Sequence, residues 1–168
     1  MMTAIPPIPS IPPIPLIPRR LSEFLADFDA LPDRAERIEA LIGISKRYRP
    51  VAADIASPPY ADANKVPACE SQAYVWSLPD ASGNLGLHFA VLNPQGISAM
   101  ALAVILEENV SGAPAAEMAQ IPSDIVYRIF GQELSMGKSM GLMAMVSMVR
   151  SAGERFAGAA LHAIPQRK

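Results

Sequence analysis

Two stretches of alternating side chains, Gln72–Leu78 and Leu85–Val91, constrain the fold of this chain more than any other feature. A period of two residues is typical of strands that bury one face. The intervening segment, Pro79–Asn84, has the composition of a turn, so the pattern predicts an antiparallel hairpin. A lone hairpin is barely stable in water and needs other elements against its apolar face. Because the flanking sequence is mostly helical in pattern, we expect a small α+β fold.

Helical patterns occupy most of the remaining sequence. Ser22 has the position of an N-cap for a short first helix, and Asp33 that of an N-cap for a second helix ending near Tyr48. A nearly all-apolar segment predicts a buried helix over Ile97–Val110, whose first residues could instead form a short third strand. Two more helices are expected, at Ser123–Phe130 and from Lys138 to about His162.

The methionine-rich part of the last helix has two interpretations. Methionines crowded on one surface can form an adaptable binding face, but a stripe at helical spacing is more often core. We interpret it as core, with a buried stripe of Leu142, Met145, Val146 and Val149.

The first residues of the chain are a proline-rich repeat, in which Ile5–Pro9 recurs as Ile11–Pro15. Proline lacks a backbone donor and cannot continue a helix or join a central strand, so an extended tail is expected. The segment lacks the uninterrupted apolar stretch of a secretory signal and is poor in the Ser and Arg of transit peptides. We therefore expect a disordered tail over residues 1–20, one domain over residues 21–163, and a C-terminal tail over residues 164–168.

Charge and cysteine content exclude several classes of function. The chain has 14 basic and 16 acidic residues, which argues against a basic nucleic-acid-binding face. Its longest largely apolar segment, Ile97–Leu106, is about half as long as a membrane span. The one cysteine, Cys69, and two histidines are too few for a Cys/His zinc site, and no internal disulfide can form.

Cys69 is the candidate reactive group. A lone cysteine is most often inert packing, but this one follows a long proline-broken connection, residues 49–66, and precedes a strand. Loops that enter a rigid scaffold commonly present reactive groups. A nucleophile pair with His88 on the neighbouring strand is one alternative, although no cysteine-hydrolase signature surrounds Cys69. The other is sulfur transfer, which needs only one thiolate and gains from having no second thiol to resolve a persulfide.

Two separated motifs resemble the SufE family. The first reads Asn64-Lys65-Val66-Pro67-Ala68-Cys69-Glu70-Ser71-Gln72 followed by Val75-Trp76, where the family pattern is roughly N-x-V-P-G-C-x-S-Q-V-W. The second reads Leu134-Ser135, then Lys138 to Leu142 and on to Arg150, where the family has L-S-x-x-R-x-x-G-L-x-x-M-[IV]-x-x-[IV]. The resemblance covers about residues 22–155.

The resemblance implies a fold and a function. SufE-like proteins have a small curved antiparallel sheet packed with helices, as in iron–sulfur scaffold proteins. They dock on a SufS-type cysteine desulfurase, stimulate it, and accept its persulfide sulfur on the loop cysteine for relay to an iron–sulfur scaffold. The resemblance thus implies Cys69 as the persulfide acceptor, and we expect Lys138, Gln72, Glu70 and Ser71 as supporting residues.

The expected setting follows from the same resemblance. The chain needs no cofactor or metal of its own, because pyridoxal phosphate belongs to the partner desulfurase. It is expected to be a carrier and activator rather than a free-standing enzyme. We expect a cytoplasmic protein, with an organellar stroma left open, that contacts neither nucleic acid nor membrane. The sequence leaves the oligomeric state open, a homodimer included.

Three departures from the family pattern motivate an alternative. Ala68 replaces the glycine before the cysteine, Lys138 replaces an arginine and loses its bidentate fork, and residues 92–95 lack the family's acidic segment. In addition, Glu133 stands where the family has a histidine. These differences leave open a regulatory binding partner of a desulfurase or scaffold that does not itself transfer sulfur.

Overall fold

The computed structural model describes residues 16–162. This part of the chain folds into helices around one hairpin, as the sequence predicts. In chain order the elements are α1 (Arg19–Asp29), α2 (Arg34–Ser45), a 3₁₀ turn (Asp62–Asn64), β1 (Ala73–Pro79), β2 (Leu85–Val91), α3 (Ile97–Val110), α4 (Ala115–Met118), α5 (Ile125–Phe130) and α6 (Met136–His162). The α+β class is therefore confirmed.

The hairpin pairs β1 with β2 in antiparallel register, with Val75 opposite Phe89. Its turn is closed by Asp80, whose N–H donates to the Asn84 carbonyl at 2.7 Å and whose carboxylate accepts the Asn84 N–H at 3.0 Å. Gly83 takes φ +80° there, a conformation that favours glycine. The turn thus fixes the register that directs one face of the hairpin to the core.

The main core lies between this face and the helices. α3 and α6 pack directly on the hairpin and α1 packs on α3, and α3 is buried from Ala101 to Leu106, as its all-apolar sequence predicts. The predicted stripe of α6 is buried as well, with Met145, Val146 and Val149 fully inaccessible to solvent. The core interpretation is confirmed for this stripe, but it is wrong for Met136 and Met140, which keep 77% and 52% of their surface exposed.

The opposite face of the hairpin has a smaller apolar cluster of its own. Tyr74 and Trp76 are buried there beneath Tyr60, whose ring centroid lies 5.1 Å from each of theirs. The cover is the long connection after α2, which is held to β2 by the Val51 N–H donating to the Phe89 carbonyl at 2.8 Å. The connection is therefore packed against the sheet and delivers the chain to Cys69 along it.

Local signals predicted some helix ends and missed others. The Asp33 carboxylate accepts the Glu36 N–H at 2.9 Å, which confirms the predicted cap of α2. The predicted cap at Ser22 is wrong, because α1 begins at Arg19 and Ser22 already donates its N–H to the Pro18 carbonyl within the helix. A third strand at the start of Ile97–Val110 is also wrong, since that segment is helical from Ile97.

Some expectations concern residues outside the described part of the chain. The extended tail is one of these for residues 1–15, and the C-terminal tail over residues 164–168 is another. α1 starts two residues before the expected domain boundary. Within residues 16–162, no helix is both long and apolar enough to cross a membrane.

Candidate functional site: the Cys69 loop

Cys69 lies in a loop, residues 67–72, whose two ends are fixed to the sheet. The Val66 N–H donates to the Ala73 carbonyl at 2.8 Å and closes the base of this Cys69 loop. Just before it, the Asn64 side-chain amide donates to the Val75 carbonyl at 2.9 Å. The loop therefore projects from a rigid base formed by the 3₁₀ turn and β1.

The tip of the Cys69 loop is a tight turn between two strained residues. Ala68 has φ +55° and Gln72 has φ +51°, although neither is glycine. Between them, the Gln72 N–H donates to the Cys69 carbonyl at 3.2 Å. Left-handed backbone is unfavourable for side chains with a Cβ, and such residues concentrate at functional sites. The arrangement marks the Cys69 loop as a functional candidate on backbone geometry alone.

Helix α6 contacts the tip through a glycine. A Cβ placed on Gly141 would lie 2.9 Å from Cys69 Cα and 3.1 Å from the Ala68 carbonyl oxygen. Real Cβ atoms do not approach backbone so closely, so only glycine allows this packing. Gly96, at the start of α3, is similar on the other side, where a Cβ would lie 2.8 Å from Ser71 Oγ. The Cys69 loop is thereby held between the N-terminal parts of α3 and α6.

An open cavity of about 250 Å³ adjoins Cys69. The thiol is half-buried and packs against the main core, yet it also lines this opening. The first turn of α3 forms one wall, and N–H groups in a first helical turn have no acceptor within the helix and carry partial positive charge. The cavity is lined by Cys69, Glu70, Ser71, Asn93, Gln95, Gly96, Ile97, Ser98, Ala99, Gly137, Lys138, Gly141 and Leu142. Cys69 therefore borders open space on this side while remaining only partly exposed.

Three of the four expected supporting residues line the same cavity. Lys138 is exposed at the start of α6 and, among residues 16–162, pairs with no carboxylate. Ser71 is half-buried and its carbonyl accepts the Asn93 N–H at 3.1 Å. Glu70 extends along α6, with Oε1 2.8 Å from where a Cβ of Gly137 would stand. Its carboxylate thus lies at a helix N-terminus, where negative charge is favoured.

Gln72 differs from the other three. Its side chain is exposed and does not line the cavity. Its backbone has the structural role, because φ is positive and its carbonyl accepts the Leu92 N–H at 3.1 Å. The structure therefore places Gln72 at the C-terminal end of the Cys69 loop, directly before β1.

The structure does not bring His88 to Cys69. His88 is paired with Trp76 and so shares its face of the hairpin, whereas Cys69 packs against the main core on the other face. His88 lies within β2, three residues before the strand ends at Val91, whereas Asn93, the partner of Ser71, follows two residues beyond that end. A hydrogen-bonded Cys–His pair is excluded in this arrangement.

A second, larger groove continues from the Cys69 cavity. It has a volume of about 790 Å³ and shares Ile97, Ser98 and Lys138 with that cavity. Ile38 and Ile42 on α2 line it and keep 46% and 38% of their surface exposed. Apolar surface thus extends from the thiol towards α2 and α5. Within residues 16–162, no cluster of three or more His, Cys, Asp or Glu side chains is placed to hold a metal ion.

Sequence reasoning missed the positioning residues of this site. Asn64 and Gly141 belong to the two recognised motifs, but neither was assigned a role, and Gly96 lies outside them. Their contacts join segments distant in sequence, so no local pattern reveals them. The available signal was that Gly141 and Asn64 belong to motifs whose other residues surround the cysteine.

These features define a class of protein: a small α+β domain that presents one thiol on a strained loop, packed against glycine residues. Residues 22–152 match the family described as SufE: Fe-S metabolism associated domain, and the chain belongs to this family. The family associates the chain with iron–sulfur metabolism.

Structural comparison supports the same fold. The chain is similar to the solution structure of a hypothetical protein from Thermus thermophilus, with a TM-score of 0.64 and 21% sequence identity. The match covers 84% of this chain and 98% of the other. No curated protein matches the sequence.

Proposed function

We propose that the chain accepts persulfide sulfur on Cys69 from a SufS-type cysteine desulfurase, stimulates that enzyme, and relays the sulfur for iron–sulfur cluster assembly. The observation that carries the proposal is the position of the only thiol, half-buried at the tip of the Cys69 loop and open to a cavity. Membership of the SufE family supports the same pathway.

The proposed step is a thiol–persulfide exchange. The Cys69 thiolate attacks the outer sulfur of the donor persulfide, a new sulfur–sulfur bond forms on Cys69, and the donor leaves as a thiolate. The proton lost by Cys69 is matched by the one the donor thiolate can take up, so the step needs no external oxidant or reductant. Pyridoxal phosphate would act only on the desulfurase.

The surroundings of Cys69 suit a sulfur anion. Lys138 and the first turn of α3 contribute positive charge to the cavity, and Glu70 is turned along α6. The cavity also offers space beside the thiol for one more sulfur atom. Because the sequence has no second cysteine, an internal disulfide cannot discharge the product. We propose Lys138 and Ser71 as the residues that face the bound sulfur.

Mass spectrometry of the intact protein tests the proposal. After incubation with a SufS-type desulfurase and cysteine, the wild type should gain one sulfur atom that is removed by dithiothreitol. Cys69→Ser should gain none, and His88→Ala, altered on the opposite face of the hairpin, should match the wild type. An unmodified wild type, or equal adducts on Cys69→Ser, would overturn sulfur acceptance. Stimulation of the desulfurase that survives in Cys69→Ser would instead favour the regulatory alternative.

A further inference from the structure

The Cys69 loop packs directly on helix α6 at Gly141. Gly141 meets backbone atoms of the loop, Cys69 Cα and the Ala68 carbonyl, so a side chain at this position would have to displace the loop. Gly137, one helical turn earlier, meets only the far end of the Glu70 side chain, which can rotate away. In the structure the backbone of Cys69 lies against α6, which we call its inward position. This position requires a glycine at residue 141, so Gly141 is needed by the loop. It is not required by helix α6, in which alanine is the better helix former.

The same inward position is strained at its hinge. Ala68 holds a left-handed φ of +55°, which a residue with a Cβ adopts only at a cost in free energy. The ends of the loop are fixed by the Val66–Ala73 hydrogen bond, so any outward movement must change backbone angles between them. If Ala68 leaves the left-handed region when the loop moves, this strain is released.

We propose that Gly141 and Ala68 are positioning residues that set, in opposite directions, how readily Cys69 leaves its inward position. Gly141 provides the flat surface that stabilises the inward loop, and strain at Ala68 favours its release. The inference deepens the proposed function, since an acceptor thiol must reach a donor on another polypeptide. Loop release is nevertheless measurable without any donor, so the two can fail separately.

Alkylation of Cys69 by iodoacetamide in the folded protein tests the inference. Gly141→Ala should speed alkylation about tenfold, because the new Cβ cannot coexist with the inward backbone. Ala68→Gly should slow alkylation about threefold. Glycine removes the strain of the inward loop, which stabilises the inward state, and it also gains conformational freedom in the released loop, which stabilises the released state. We expect the removal of strain to be the larger of the two effects. The double variant should fall between the two.

Matched controls separate loop release from other effects. Gly158→Ala lies in the same helix with no atom within 4 Å of its new Cβ, and should leave alkylation unchanged. The same rate ratios should remain at a pH high enough to ionise thiols generally, because there the rate reports exposure of the thiol alone.

Two results would overturn the inference: alkylation of Gly141→Ala at the wild-type rate, or alkylation of Ala68→Gly as fast as or faster than the wild type. If Gly141→Ala fails to fold, Ala68→Gly alone decides. Normal release in these assays without sulfur transfer from a desulfurase would leave the inference standing and reject the proposed function.

Discussion

Replacement of the thiol by a hydroxyl, Cys69→Ser, should cost little stability. Only one heavy atom changes, and it is half-buried at the edge of the core. Full burial of one methylene-sized apolar group is worth about 0.8 kcal/mol, so partial burial predicts a loss of about 0.3–0.8 kcal/mol in the free energy of unfolding. For a domain of this size that corresponds to a fall of about 1–3 °C in Tm.

A matched core variant gives this small value its meaning. Met145 is fully buried on α6, and Met145→Ala should lose about 2–5 kcal/mol. Urea denaturation under reducing conditions measures both, and an unchanged m-value shows that the two unfolding transitions are comparable. If Cys69→Ser lost as much as Met145→Ala, the thiol would be core packing. The interpretation of Cys69 as a presented nucleophile would then be refuted.

Two further predictions concern the support of the hairpin and the surface of α3. The Val91 N–H donates to the Tyr48 hydroxyl at 2.8 Å. Tyr48→Phe should therefore lose about 1–3 kcal/mol in the free energy of unfolding, measured by urea denaturation. A loss below about 0.5 kcal/mol would contradict a structural role for this bond. The hydrogen bond from Arg47 lowers the pKa of Glu108 in the folded protein. The ion pair therefore stabilises the fold above the ordinary carboxyl pKa, and this stabilisation is lost as pH falls through the lowered pKa of the folded state. Glu108→Gln should therefore be less stable than the wild type at neutral pH, by about 0.2–1 kcal/mol for so exposed a pair, and equal to it in strong acid; a difference that persists across a pH series of denaturation curves would contradict this.

The elements that sequence predicted well are those determined by local pattern. The alternating pattern predicted the two strands because one face of the hairpin packs against the main core, and the all-apolar segment predicted α3 because that helix is buried on every side from Ala101 to Leu106. The start of α1 was missed because its first turn is held by distant residues: the Arg20 guanidinium donates to the Ser111 carbonyl at 2.7 Å. No local signal announces a contact between residues so far apart in the chain.

The candidate site divides in the same way. Cys69 was identified from its position between a long connection and a strand, and from the motif around it. The cavity beside it could not be predicted, because it forms where the starts of α3 and α6 meet the Cys69 loop. A carboxylate next to a thiol disfavours the thiolate, and the structure places the Glu70 carboxylate along the first turn of α6. Glu70 still lines the cavity beside Cys69, so its negative charge belongs to the surroundings of the thiol together with the positive charge of Lys138.

Ala68 shows why a departure from a family pattern needs coordinates before its direction can be argued. From the sequence alone, alanine in place of glycine suggests a loop less able to turn outward, because glycine adopts positive φ freely and alanine does not. The positive φ of Ala68 belongs to the inward loop, so the strain lies in the state that the thiol must leave. A residue strained only before release favours release, whereas one strained only after release opposes it. The alanine is thus expected to make Cys69 more available than glycine would, and the opposite order of alkylation rates would show that the strain lies in the released loop instead.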